Sequence, residues 1–461
     1  MSEFQTTRLG DITTKVGSGS TPRGGESAYQ SEGIPLIRSM NVHFDGFRRD
    51  GLAFLNAAQA AALKNVEVRA NDVLLNITGA SIGRVTSAPT EMDGARVNQH
   101  VCIIRPDDRL ESSFLRWFLA SPSQQRLING IESGATRQAL TKEKILDFEI
   151  PLPAVDQQRE IVAELEKQFS RLDEAVANLQ RVKANLKRYK ASVLKDAVEG
   201  RLVPTEAELA RREGCSFETG EQLLQRILET RCISWIGRGK FKTPDALETM
   251  GLLELPSGWA WTSVEQIAEV ISGLTKNPTR ESLPLKLPYL RVANVYANEL
   301  RLDDMAEIGV ADNELQKLMV LKNDLLVVEG NGSPDQIGRV AKWDGSISPC
   351  VHQNHLIKVR AVIAEPDWML NWLISPGGRK QIELVSSSTT GLHTLSSGKV
   401  GHLPVPLPPV AEQQRIVSEV DRRLSLIRRV ETEVDTNLKR AERLRAATLQ
   451  KSFGVGRLGG D

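Results

Sequence analysis

Long apolar runs are missing from this chain. Nowhere do about 18 uncharged apolar residues follow one another, so no segment suits a membrane-crossing helix. The opening MSEFQTTRLGDITTK has no apolar core of the kind a secretory leader needs. Cysteine is scarce and scattered. Cys102, Cys215, Cys232 and Cys350 form no CxxC pair, which fits a reducing compartment and argues against a structural zinc site. These features point to a cytoplasmic protein. An excess of either charge is lacking too: 59 Lys and Arg stand against 58 Asp and Glu, a formal charge of +1. Composition therefore does not announce a nucleic-acid binder, and a phosphate-binding face has to be local or completed by a partner. Catalytic signatures are also missing. There is no GKS or GKT phosphate loop, no Gly-rich strand–helix fingerprint for S-adenosylmethionine, no NPPF-like or DPPY-like tetrad, no nuclease carboxylate–lysine cluster and no GxSxG. Such gaps favour a non-catalytic chain that leaves chemistry to others.

What is present is one unit written twice. At 461 residues and 50.9 kDa the chain is too long for one ordinary core. IPLIRSMNV (34–42) matches LPYLRVANV (287–295), and NDVLLNITGASIGRV (71–85) matches NDLLVVEGNGSPDQIGRV (323–340). QHVCIIR (99–105) matches NHLIKVR (354–360), FLASP (118–122) matches WLISP (372–376), and IPLPAVDQQREIV (150–162) matches VPLPPVAEQQRIV (405–417). The offset stays between 252 and 255 residues, so insertions are few. A period this long signals duplicated domains, not a solenoid. Each copy begins with short β-like runs separated by Gly, Asn, Asp and Pro turns. A short helix, SFLRWFLAS or DWMLNWLIS, then ends at Ser-Pro. A proline-rich strip closes the β-like part, and a long helix follows.

From Asp156 to Glu199 the sequence has neither proline nor glycine. Leu165, Leu172, Leu179, Leu186 and Val193 fall every seven residues, which predicts a coiled-coil seam with Ala175, Val182 and Tyr189 as companions three positions on. The same register in the second copy gives Val420, Ile427, Val434, Ala441 and Thr448, with Val430 and Leu444 as companions. At about 1.5 Å per residue each rod is roughly 60–65 Å long. A small β-rich domain cannot cover such a stripe, so each helix needs the other. An antiparallel pair, which sends the two globular parts to opposite ends, is the preferred arrangement. The stretch 200–258 has no counterpart upstream and reads as a folded connector.

In this order of parts the chain resembles the specificity subunits of type I restriction–modification systems. The residues that carry the resemblance are PLPAVDQQREIV and PLPPVAEQQRIV, the paired LIR–xx–NV and YLR–xx–NV segments, the paired G–IGRV loops, and LPSGW before the second unit. The first unit departs from the pattern by starting at QTTRLGDI without that lead-in, which implies a shorter opening strand. The resemblance implies an α+β fold: two β-rich target recognition domains joined by two long helices in an antiparallel coiled coil with a pseudo-two-fold axis. Residues 1–153 are then the first recognition domain and 154–202 the central spacer helix. Residues 203–256 are the connector, 257–408 the second recognition domain and 409–455 the C-terminal spacer helix. It implies a sequence-specific, non-catalytic subunit that reads an asymmetric, bipartite double-stranded DNA target. Its implied partners are two methyltransferase subunits, which would carry S-adenosylmethionine, and two motor–nuclease restriction subunits, which would carry ATP and Mg; none of these cofactors sits on this chain. The alternative readings are a self-contained DNA methyltransferase or nuclease, and a purely structural coiled-coil protein.

Several residues are candidates for DNA contact. Arg38 and Asn41 recur at the same spacing as Arg291 and Asn294; Arg forks to guanine or phosphate and Asn pairs with adenine. Being shared by units with different targets, they suit phosphate or framework roles better than base reading. Ser81 and Arg84, with Asn331, Ser333 and Arg339, belong to loops that either present backbone N–H groups to phosphate or simply turn. Thr136 and Arg137, and opposite them His393 and Thr394, are polar and differ between copies. A metal reading of Cys350, His352 and His355 is disfavoured, because VHQNHLIKV looks like a strand and the first copy offers only His100 and Cys102.

Overall fold

The computed structural model describes residues 5–22, 25–132, 139–235, 239–331, 336–389 and 392–453. The chain forms two compact units, one of Met1–Arg181 with Val434–Asp461 and one of Val182–Glu433. Two 44-residue helices, Val155–Val198 and Val410–Phe453, each contribute to both.

In the first unit a four-stranded antiparallel sheet runs Thr13–Ser18, Val101–Pro106, Val73–Asn76, Val85–Ser87. A smaller sheet places Ile34–Ile37 antiparallel to Ala53–Leu55 and parallel to Arg96–Val97. Thr6–Arg8 pairs with Glu149–Pro151 and closes the unit. The second unit repeats this plan. Its larger sheet runs Ala268–Ser272, Leu356–Ala361, Leu325–Val328, Val340–Lys342. Its smaller sheet centres on Lys286–Leu290, and its closing pair is Ala260–Ser263 with Pro404–Leu407. The opening strand of the first unit has three residues against four in the second.

Period-two alternation explains why the central strand is apolar throughout. Leu325 and Val327 face the core under the helices, whereas Leu326 and Val328 face the core under the smaller sheet. Val73 and Leu75 are divided from Leu74 in the same way. Each such strand follows an Asn in the left-handed region, Asn71 at φ 68° and Asn323 at φ 75°. A buried carboxylate comes next. Asp72 takes a two-pronged bond from Arg105, both contacts at 2.7 Å, and Asp324 takes one from Arg360 at 2.8 and 2.6 Å. Pairing with guanidinium meets the desolvation cost of these carboxylates.

The repeated Gln of the proline strip has a mechanical job. Gln158 is fully buried; its amide donates to the carbonyls of Arg109 and Pro153, each at 2.8 Å, and its oxygen accepts from the Glu111 N–H at 2.8 Å. Gln413 donates to Pro408 O at 2.8 Å and accepts from Glu365 N–H at 2.9 Å. One side chain thus bolts strip, sheet and helix together in each unit.

The LPSGW lead-in acts through Trp259, whose indole donates to the buried carboxylate of Glu412 at 2.9 Å. The other Glu412 oxygen accepts from the Glu206 backbone at 2.8 Å, and burial holds this carboxyl above its ordinary range. The first copy, without the lead-in, has an exposed Gln157 at the matching position. The connector packs into the second unit. Leu223 and Ile227 of its helix Gly220–Ile233 are fully buried in that unit's core.

Within the first unit the two helices run antiparallel. Glu160 to Gln168 line a cavity with Leu444 to Ser452, and Leu172 to Leu179 line the next with Asn437 to Ala447. The sevenfold positions face inward: Leu165, Val193, Val420, Ile427, Val434 and Ala441 are buried, and Leu172, Leu179, Leu186 and Thr448 are half-buried. Their expected companions do not face inward. Ala175, Val182, Tyr189 and Val430 are exposed, and Leu444 keeps 57% of its surface. The second row lies four residues on, at Phe169, Val176, Leu424 and Leu438. Heptad core positions alternate steps of three and four, and the leucines precede the longer step. In the middle that second row carries Lys183 and Glu431, so the apolar stripe thins there. Among the described residues no helix is long and apolar enough to cross a membrane.

Candidate nucleic-acid interface

Each unit brings its variable loops to one end of its sheets, through a short backbone ladder that is the same in both. In the first, Ile77 N–H donates to His100 O at 3.0 Å and Leu140 N–H to Ile77 O at 2.9 Å. In the second, Glu329 N–H donates to His355 O at 2.9 Å and Leu395 N–H to Glu329 O at 2.6 Å. The segment after the central strand, the head of its neighbour and the chain before the last short helix therefore meet at one mouth. The loop after the first sheet strand joins them: Gly19 N–H reaches Asn98 O at 3.1 Å, and Leu274 N–H reaches His352 O at 2.8 Å. Glycine is required at this approach. A Cβ on Gly19 would sit 1.7 Å from Val97 O, and one on Gly273 2.1 Å from His352 O.

Asn41 and Asn294 do not reach the mouth surface as DNA contacts. Both are buried, and their amides are used internally. Asn41 accepts from Arg38 N–H at 2.9 Å and donates to the carbonyls of Arg48 and Asp50. Asn294 accepts from Arg291 N–H at 2.8 Å and donates to those of Arg301 and Asp304. A short polar side chain that matches three backbone groups braces a loop, and freeing it would leave buried groups unpaired. The recurring arginines brace the same loops. Arg38 donates to Gly51 O and pairs with Glu26, and Arg291 donates to both the carbonyl and the carboxylate of Asp304.

Arg84 is different. It is half-exposed at the G–IGRV turn, and among the described residues its guanidinium has no partner. Ser81 accepts from Asn76 Nδ2 at 3.1 Å, and the same amide reaches Ser39 O at 2.9 Å, which ties two loops together. In the second unit Arg339 bonds Gln336 and Val292 O and lies 5.0 Å from the ring centre of Tyr296. Arg301 stacks on the same ring at 3.9 Å. Two guanidiniums thus share one tyrosine ring, Arg301 being also paired with Glu299 at 3.0 Å. Thr394 is half-buried on a strand, Leu392–Thr394, that pairs Gly330–Asn331 and Ser387–Thr389. Asn331 and His393 oppose each other in that ladder. Thr136, Arg137 and Ser333 lie outside the described residues.

Three mouth residues escaped the sequence reading, Gln99, Glu329 and Tyr296, and His100 entered it only through the metal reading. The signal was in the repeat itself, since Gln99-His100 and Asn354-His355 head the same strand. In the first unit a chain of hydrogen bonds crosses the mouth from Thr21 to Gln99, on to His100, and then to Thr78. In the second, His355 Nδ1 meets Glu329 Oε2 at 2.9 Å. His352 and Cys350 lie behind the mouth, buried. Burial and the Lys358 ammonium push the imidazole down to about 4, and burial pushes the thiol up to about 12. Lys358, fully buried, is pushed down to about 8 by burial and by Arg360; its amine donates to the carbonyls of Lys317 and Met319. Among the described residues no three His, Cys, Asp or Glu gather as metal ligands.

Residues 1–187 match the family model described as the type I restriction modification DNA specificity domain. Over 437 residues the chain is 22% identical to the type I restriction enzyme EcoKI specificity subunit of Escherichia coli strain K12, covering 91% of this chain and 82% of that one. Two solved structures share the fold. A chain from work on complex assembly and conformational transition of the type I R-M system aligns with TM-score 0.65 at 18% identity, covering 98% of each chain. The HsdS subunit from Thermoanaerobacter tengcongensis aligns with TM-score 0.51 at 19% identity, covering 99% of this chain and 98% of that one.

Proposed function

We propose, for a chain that belongs to the type I restriction–modification DNA specificity subunits, that its two mouths read two different halves of one split DNA target. The observation that carries this reading is the pair of mouths built on one backbone ladder with different side chains. Ile77 and Glu329 occupy the same rung, as do Thr78 and Gly330 next to them. A shared frame with unlike side chains suits two half-sites of unlike sequence, so the target is not a palindrome. Arg84 and Arg339 supply local positive charge on a chain whose formal charge is only +1.

The long helices set the gap between the half-sites and dock two methyltransferase subunits. Supporting this, cavities of about 650 and 820 Å³ open along the helix pair of the first unit, lined by Leu165, Leu172, Leu179, Leu444 and Ala447. Half-buried leucines along a two-helix seam leave apolar surface for a further helix. The methyltransferase subunits carry S-adenosylmethionine, and restriction subunits bring ATP and Mg for cleavage; this chain supplies the address. Exchanging residues 1–150 for those of a relative with another target is expected to change one half of the methylated motif, read by methylome sequencing. A change in both halves overturns the modular reading.

A further inference from the structure

The two mouths treat their shared histidine differently. In the first, Gln99 Nε2 lies 3.1 Å from His100 Nε2 and Thr21 bonds the Gln99 oxygen, so the amide nitrogen is the donor and His100 Nε2 accepts. His100 Nδ1 then donates to Thr78. Both ring nitrogens are occupied inside the protein, and this imidazole is framework. In the second, Glu329 Oε2 is an acceptor when ionised, so the proton of a neutral His355 sits on Nδ1 and is donated at 2.9 Å. That leaves Nε2 with a lone pair, and among the described residues it has no partner. The His355 side chain is 56% exposed while Glu329 is 29% exposed, so the carboxylate backs the ring from below. The rung that carries Glu329 holds Ile77 in the first unit, 8% exposed. A carboxylate at a DNA-facing mouth is repelled by phosphates, so it needs a positive contribution to offset that cost. Fixing a ring that accepts from a base edge provides one.

Resting on the reading above, we propose that His355, oriented by Glu329, is a specificity-determining residue of the second mouth and accepts a hydrogen bond from the exocyclic amine of a cytosine or adenine. Guanine and thymine offer oxygen acceptors at the corresponding major-groove positions and are rejected there. Glu329 is a positioning residue that acts through the ring.

The test uses the assembled complex with its methyltransferase subunits, scored by methylome sequencing and by competition between duplexes substituted at each position of the second half-site. His355→Ala is expected to relax one position that carries an amino-bearing base, with a loss of preference of about tenfold to a hundredfold, while the first half of the motif is unchanged. Glu329→Leu leaves the imidazole in place but frees it, and is expected to relax the same position; Glu329→Gln, which can still accept from Nδ1, is expected to retain most of the preference. An unchanged motif with uniformly weaker methylation in either loss variant overturns the proposal, because the pair would then serve phosphate contact or framework. That result leaves the two-mouth reading standing, whereas failure of the 1–150 exchange to alter a single half-site removes the reading itself.

Discussion

Asn41 and Arg84 show why residue type and spacing alone cannot tell a brace from a side chain left free on the surface. Both are polar, both sit near repeated glycine turns, and only the backbone around them separates their roles. Asn41 faces one N–H and two carbonyls of its own loop. Asn41→Ala is therefore expected to cost about 2–3 kcal/mol in stability, since buried partners lose their bonds, as measured by urea unfolding. Arg84→Ala is expected to change stability by less than about 0.5 kcal/mol. It should weaken DNA binding of the complex with little change in motif and lower the salt slope by about one. Lys358 offers a pH-dependent counterpart. Its pKa is about 8 in the fold against 10.5 when unfolded, so the unfolded chain binds more protons between those values. Stability from this group therefore rises as pH rises from about 8 to 10.5, by about 3 kcal/mol in total. Lys358→Met removes that contribution, so subtracting its pH–stability profile from that of the parent should leave this slope; parallel profiles count against it. The first copy carries Ile103 at this position, which is why the repeat gave no hint of a buried amine.

At the scale of elements, the sequence was most legible where periodicity was long. The two helices and the proline strips followed from runs and breakers, because burial on one face leaves a repeating mark. The second row of the seam was not legible. Charged residues occupy it at Lys183 and Glu431, and a three-residue step looks as good as a four-residue step when half the positions are uninformative. The mouths were legible as loops but not as constellations, since the ladder from Leu140 through Ile77 to His100 joins residues distant in the chain. The connector has no repeat partner, and it packs into one unit's core through Leu223 and Ile227. Leu165→Ala is expected to destabilise the first unit by about 2–4 kcal/mol. Leu444→Glu, at an exposed site lining the cavities, is expected to leave the melting profile nearly unchanged while reducing co-purification of methyltransferase. Intact co-purification would place the docking surface elsewhere.

For the whole molecule, a formal charge of only +1 gives the isolated chain little long-range attraction to DNA. The complex is expected to lose binding steeply as salt rises, with a log–log slope near −0.9 per phosphate contacted, whereas the isolated chain should show a shallower slope. Equal slopes would mean that this chain makes all the phosphate contacts itself.

The first unit is completed by the far end of the chain, where Phe453 packs on Phe114 at 5.1 Å and on Phe118 at 6.1 Å, and Leu449 joins the same cluster. During synthesis, then, Phe114 and Phe118 wait for partners made more than 300 residues later. A stop codon before Leu449 is expected to damage the first unit's core while sparing the second.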